Sequence, residues 1–379
     1  VKTSTDRILT THVGSLPRSD AVNQLLLKKE RGEDYDPAEF DRVIAQTVAD
    51  IVAKQQAVGI DVVSDGETSK IGYATYIKDR NEGFGGDFTP KPHRDLQEHD
   101  DYRELLTRTR GPNLFRRACC TGPISPKNEG SLEKDLANFR AALDGATVSE
   151  GFLNAASPGV VAAFQPNRHY EKHEHYVEAL ANVLQPEYEA IVEAGFLLQV
   201  DCPDLAMSRH TGFQDLSDAE FLSRAQLHVE ALNHALRNVP QDRVRMHLCW
   251  GNYEGPHDYD IDLNTIFDIA MSVKARAICF EAANPRHEHE WTIWRDRAPD
   301  DRILIPGLLD TCHNYVEHPE LVAQRIVRFA EAVGKERVIA GTDCGFGTFV
   351  GSVLVAPSVA WKKLAALVEG ARLASERLY

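Results

Sequence analysis

Short apolar runs alternate with helix-patterned segments along almost the whole chain. A strand rich in Val, Ile and Leu has to be covered on both faces, and helical crossovers between parallel strands supply that cover. Strand-like runs fall at 8–12, 60–64, 151–156, 196–201, 244–249, 277–281, 303–309 and 338–342. Helical spacing of apolar residues fills 37–58, 176–194, 218–237, 263–273, 319–333 and 358–375. Within 37–58, Phe40, Val43, Ile44, Val48, Ile51 and Val52 share a face, and Gly59 supplies the stop. The count is about eight β/α units, that of a TIM (β/α)8 barrel. A doubly wound open sheet is the rival fold.

One stretch breaks the rhythm. Residues 70–149, between strands two and three, hold Gly-Phe-Gly-Gly, several Pro and His residues, and an Arg-rich run over 103–117. We read it as a long βα-loop excursion with its own hairpin and helix. It is expected to lie over the C-terminal mouth of the barrel, where active sites of this fold form. The whole of 1–379 then reads as one catalytic domain.

Composition limits the partners. A formal net charge of -15 argues against nucleic acid or an anionic membrane surface. No apolar run approaches the length of a membrane span, and the polar start Val1-Lys2-Thr3-Ser4 has no signal-peptide pattern. Seven cysteines, an odd number without a disulfide-framework spacing, point to a reducing compartment and hence the cytoplasm. Small-molecule substrates are the expected partners, and a homo-oligomer is allowed. Cys119, Cys120, Cys202, Cys279 and Cys312 read first as small buried apolar side chains, with Cys202 and Cys312 beside candidate site residues.

Four residues in the last third form a chemically coherent set. His247 and Cys249 are two apart on one strand and therefore share a side of it. Glu281 ends the next strand, and Cys344 follows the last one. Residues at the C-terminal ends of barrel strands point towards one axis. One imidazole, two thiolates and one carboxylate suit Zn²⁺. Taken alone, His-x-Cys is also what a hydrogen-bonded core histidine beside a buried cysteine looks like. Glu281 is harder to place without a partner, because a bare carboxylate is costly to bury after an apolar run. Bound zinc would lower the pKa of an incoming thiol and present it as a thiolate.

The chain resembles the catalytic domain of cobalamin-independent methionine synthase in a short, single-barrel form. The resemblance rests on Thr-His-Val-Gly-Ser-Leu-Pro-Arg at 11–18, Asp65-Gly66-Glu67, Gln199-Val200-Asp201, Met246-His247-Leu248-Cys249 and Thr342-Asp343-Cys344-Gly345. It implies a TIM barrel with a catalytic zinc held by His247, Cys249, Glu281 and Cys344. It also implies a substrate site in which Ser15, Glu67 and Asp201 hold the amino-acid part of homocysteine. The chain departs from the family pattern at Cys202, where Glu is usual. It also lacks the tryptophan expected to stack on folate after Thr121-Gly122-Pro123. The stretches around 201–207 and 314–319 look like a divergent branch that includes epoxyalkane:coenzyme M transferase.

Two reactions follow. In the first, the zinc-bound thiolate attacks a methyl donor, with His313 the candidate acid for the leaving group. In the alternative, the thiolate of coenzyme M opens an epoxide, and Arg18, Lys70, Arg116 or Arg117 holds the sulfonate. An Arg-rich run also reads as a solvated face. A zinc-stabilised binding protein without turnover and a metal-free barrel lyase are further options; the lyase leaves His247, Cys249 and Cys344 unexplained.

Overall fold

The structure, a computed structural model, describes residues 1–110 and 117–379, with no side-chain description for 109 and 110. Ten strands occur among the described residues: β1 (Leu9–Thr10), β2 (Val62–Ser64), β3 (Asn81–Gly85), β4 (Cys119–Pro126), β5 (Glu150–Ala156), β6 (Leu197–Asp201), β7 (Val244–Leu248), β8 (Ala277–Phe280), β9 (Ile303–Pro306) and β10 (Ile339–Ala340). Six of them form one parallel sheet in the order β2-β5-β6-β7-β8-β9. β2, β6, β7, β8 and β9 are buried along their length and β5 from Phe152 onward, as the unbroken apolar runs require. The α/β class is therefore as expected, although every strand of the parallel sheet except β5 is shorter than the apolar run that announces it.

β1 and β10 pair in parallel with each other. Parallel bridges Leu304↔Val338 and Gly307↔Gly341 tie the β10 segment to the β9 segment. At the opposite seam Asp61 N donates to Thr10 O at 3.1 Å. The Asp61 carboxylate accepts from Thr10 N and Oγ1 at 2.9 and 3.0 Å, and Thr11 Oγ1 donates to Val62 O at 2.9 Å. Side chains thus replace part of the backbone ladder between β1 and β2.

Helices cover the outer face. Pro37–Val58 starts at the Asp36 cap and ends at Gly59, whose φ of 98° is the left-handed conformation glycine adopts freely. Pro319–Val333 packs against Pro357–Leu378, and His173–Glu193 against Asp218–Ala235. Within the sheet, β7 projects Arg245 inward. Its guanidinium bonds Thr11 Oγ1 and His12 O and lies 3.9 Å from the Phe152 ring centroid. The layer beneath the strand ends is therefore filled by packed side chains.

The long excursion has two parts. Its first part contains the antiparallel β3/β4 hairpin and the helix Asp100–Arg110. Arg94 N donates to His210 O, and Tyr102 Oη to Glu254 O, so this part is anchored beside the strand ends. Its second part, helix Ser131–Leu143, packs on Pro37–Val58 and serves as an ordinary outer helix. Only the first part reaches the candidate site.

Candidate metal centre

Register places the key side chains. Asp201 pairs with His247, and His247 with Cys279, across adjacent parallel strands. Cys249 lies one residue beyond β7, on the same side as His247. Cys344 arrives on the turn after β10. One ligand atom each from His247, Cys249 and Cys344 lies within 4.8 Å of the other two, and all three residues are buried. The two sulfurs are 4.0 Å apart. Two sulfurs bound tetrahedrally at about 2.3 Å from one ion would be about 3.8 Å apart.

The Cys249 thiol is pushed well up by its hydrogen bond with Cys344, then by burial and by Glu281. Cys344 is drawn down by its bond with Cys249, yet burial and Glu281 leave it raised. A divalent ion reverses this balance, because coordination deprotonates thiols. Asp201 Oδ1 stands 3.4 Å from His247 Nδ1, the kind of carboxylate partner that orients a metal-ligating imidazole. Burial pulls His247 down, but Asp201 and Cys249 outweigh it and hold the ring at about 10.

Glu281 lies beside this trio without belonging to it. Its carboxylate accepts from Trp250 N at 2.7 Å and from Asn284 Nδ2 at 2.9 Å. Asp343 accepts from Ala282 N and Ala283 N, both at 2.9 Å, and so fixes the β8 exit to the Cys344 turn. Gly307 makes this possible: a Cβ there would sit 2.5 Å from the Asp343 backbone. Gly307→Ala is therefore expected to displace the Asp343–Cys344 turn, costing about 1–3 kcal/mol and lowering metal content. Thermal melts and metal analysis of the variant check this.

Ser15, Glu67, Asp201, His247, Cys249 and Cys344 all line one cavity of about 540 Å³. Ser15 is packed on the Cys344 turn, with Phe346 N donating to its carbonyl at 2.8 Å and Gly347 N to its Oγ at 3.4 Å. Asp201 accepts from Asn154 Nδ2 at 3.1 Å and from Gln199 Nε2 at 3.2 Å. Glu67 is buried, has φ 54°, and its Oε2 has no hydrogen-bond partner. A non-glycine residue held in the left-handed region is strained, and such strain gathers at functional sites.

Burial, aided by Asp201, raises the Glu67 carboxyl to about 7 against the pull of Lys70. A raised carboxyl favours the folded state at low pH, and this contribution fades as pH rises from about 4.5 to about 7. Glu67→Gln is thus expected to stabilise the protein by up to about 3 kcal/mol at pH 8 and to have no such effect below about pH 4.5. Urea unfolding at the two pH values reads the difference.

His313 is placed elsewhere. It is half-exposed, bonded through Nδ1 to Asp310 Oδ2 at 3.1 Å, and stacked on Tyr315. It lines an adjoining cavity of about 380 Å³ that meets the first at Gly251, Asn252, Tyr253 and Cys344. Of the sulfonate candidates, Arg18 donates to Gly347 O, Glu67 O and Lys70 O, and Lys70 donates to Asn154 O. Both are buried and committed to carbonyls. Arg117 lines the large cavity, its guanidinium 5.1 Å from the Phe164 ring centroid. Arg116 lies outside the described residues.

With this geometry in view, comparison with known proteins is decisive. The profile described as "Cobalamin-independent synthase, Catalytic domain" matches residues 8–84 and 130–362. The chain belongs to this family. Methionine synthase of Saccharolobus solfataricus is 24% identical over 376 residues, covering 97% of this chain and 95% of that protein. Methionine synthase of Sulfolobus acidocaldarius is 23% identical over 372 residues, covering 97% and 93%. Among solved structures, a B12-independent methionine synthase from Shewanella sp. W3-18-1, in complex with selenomethionine, aligns with a TM-score of 0.73 at 19% identity, over 98% of this chain and 99% of that one. A putative vitamin-B12-independent methionine synthase from Listeria monocytogenes aligns with a TM-score of 0.65 at 19% identity, covering 97% and 98%. The synthase fold is therefore shared over nearly the full length.

Sequence reasoning missed several residues around the trio and its cavity. Asn154 bridges Val13 O and Asp201. Tyr73, Phe164 and Phe349 form an aromatic wall, with Tyr73 5.5 and 5.3 Å from the other two ring centroids. The wall is set by an antiparallel contact of 71–73 with 348–350, where Tyr73 N donates to Thr348 O and Val350 N to Ile71 O. No local signal reports a contact between such distant segments.

Proposed function

We propose that the chain is a zinc-dependent methyltransferase on a TIM (β/α)8 barrel closed through the β9–β10–β1–β2 segments, acting on a homocysteine-like thiol. The observation that carries this reading is the convergence of His247, Cys249 and Cys344 on a cavity that also presents Ser15, Glu67 and Asp201. His247, Cys249 and Cys344 would hold the zinc, with Glu281 as the neighbouring fourth donor. When bound, the zinc supplies the Lewis acidity that holds an incoming thiol as its thiolate at neutral pH.

The chain's own residues do the rest. Glu67 Oε2, which has no partner, and Asp201 accept hydrogen bonds from the substrate ammonium. Ser15 offers its hydroxyl to the carboxylate. Asp201 serves twice, since it also orients His247. The aromatic wall holds the alkyl donor opposite the sulfur and excludes water, so that orientation supplies much of the rate. From the adjoining cavity, His313 gives a proton to the leaving group, with Asp310 fixing its ring.

Seven free cysteines suit a reducing compartment, and we place the enzyme in the cytoplasm. No described helix is long and apolar enough to cross a membrane. X-ray absorption on the zinc-loaded protein tests the substrate assignment. Homocysteine should add one metal–sulfur contact, whereas coenzyme M and glutathione should not. A new contact with coenzyme M alone would replace this reading with thiol addition to an epoxide.

A further inference from the structure

Three loops meet where the two cavities join: the one that follows Cys249, the one after β9 that carries His313, and the turn that carries Cys344. One side chain ties them together. Asn252 lines both cavities. Its Nδ2 donates to Gly345 O at 3.0 Å, and its Oδ1 accepts from Thr311 Oγ1 at 2.9 Å and from Cys312 Sγ at 3.2 Å. The partners fix the orientation of this carboxamide. A carbonyl can only accept, so Nδ2 must face Gly345, and the hydroxyl and the thiol then donate to Oδ1. Aspartate would turn an acceptor towards the Gly345 carbonyl, and leucine could serve neither side.

Bonds within the His313 loop do not place it against the metal residues. Asp310 Oδ1 accepts from Cys312 N at 2.9 Å and from His313 N at 2.7 Å, and the imidazole rests on Asp310 and Tyr315. These contacts hold the ring to its own loop. At the base of the loop Asp343 N donates to Leu309 O at 3.0 Å. Nearer the tip, the link to the Cys344 turn runs through Asn252. Glu254, two residues further on, brings Oε1 to 3.8 Å from His313 Nε2. Thr311 is 2% exposed, whereas the His313 side chain is 44% exposed. The bridge thus ends on the buried stem of a loop whose tip is open to solvent.

We infer that Asn252 is a positioning residue that sets the reach of His313 from the metal. The inference rests on the proposed roles of the trio and of His313, and adds to them what holds the acid in register with the thiolate. Asn252 touches no reacting atom in this role. It ties the Gly345 carbonyl, one residue beyond Cys344, to Thr311, two residues before His313. A general acid has to lie within hydrogen-bond reach of the atom it protonates. Misplacement by about 1 Å can cost about 100-fold in rate. A half-exposed imidazole on a loop therefore needs an anchor on the element that carries the sulfur ligand, and the Asn252 carboxamide is that anchor.

Magnetic resonance on the full chain tests this without turnover. Cobalt(II), loaded in place of zinc, is paramagnetic, so the relaxation of each labelled histidine ring reports its distance from the metal. His313→Asn assigns the His313 signal. The wild type should show a strong enhancement there. Thr311→Val, which keeps the shape of the side chain and leaves the bond between Asn252 and Gly345 in place, should lose much of it. Asn252→Ala should lose at least as much, and the double variant should match Asn252→Ala, because both changes cut one bridge. His257, which lines the same cavity from the loop after Cys249, should keep its enhancement in Thr311→Val. Unchanged enhancement at His313 in both single variants, or an equal fall at His313 and His257, would overturn the positioning role while leaving the metal and the acid in place. A wild type that takes up cobalt but shows no enhancement at His313 would instead defeat the role of His313. A chain that takes up no cobalt would defeat the metal centre, and the positioning role with it.

Discussion

Cys249→Ser and Cys344→Ser are each expected to abolish metal binding and methyl transfer together. Serine keeps the size of the side chain but replaces a soft, readily deprotonated donor with a hydroxyl that zinc does not bind in structural or catalytic sites. The two sulfurs are 4.0 Å apart with His247 beside them, so either change leaves two protein donors in the trio. Outer partners of metal ligands carry about 10–100-fold in affinity, and loss of a ligand itself should exceed that. Metal content by mass spectrometry should fall from one equivalent to near none. The fold should persist, because these residues lie past the strand ends while the apolar core is untouched. Retained activity with no bound metal would exclude the proposed chemistry.

The largest stability effect is expected away from the metal. Lys363, on the last helix, is 0% exposed, and its ammonium sits 2.9 and 3.0 Å from the Glu317 oxygens. Glu317 Oε1 also accepts from Asp310 N at 2.8 Å. Removing one partner of a buried pair leaves the other charged and unpaired, at a cost of about 3–5 kcal/mol. Lys363→Met should therefore lower the melting temperature sharply. Lys363→Met combined with Glu317→Gln should recover most of the loss, because the amide oxygen still serves Asp310 N and no charge is stranded. Because Asp310 orients His313, the single variant should also slow turnover more than it weakens homocysteine binding.

How far the sequence spoke for itself differs by element. The buried strands β6, β7 and β8 were legible because both their faces are covered and their apolar runs are unbroken. His247 and Cys249 followed from β7, and Cys344 from the run that becomes β10, since strand ends fix direction. Glu281 was placed on the same rim, but its carboxylate is engaged by Trp250 N and Asn284, contacts that depend on the fold of the next loop. The helix Asp20–Arg31 escaped attention although Ser19 caps it and Gly32 ends it, because its surface is dominated by charge. The Tyr253–Asp95 contact joins residues 158 apart in sequence, and no periodicity or spacing could report it. The same holds for the place of His313, which Asp310 and Tyr315 hold in the adjoining cavity.

The central claim is that separate strand ends bring an imidazole and two thiolates to one zinc ion. X-ray absorption of the protein as purified, without added thiol, tests it most directly. The account predicts one zinc per chain with two sulfur neighbours at about 2.3 Å and one imidazole nitrogen at about 2.0 Å. A protein that takes up no zinc, or one whose zinc has only oxygen and nitrogen neighbours, would contradict it.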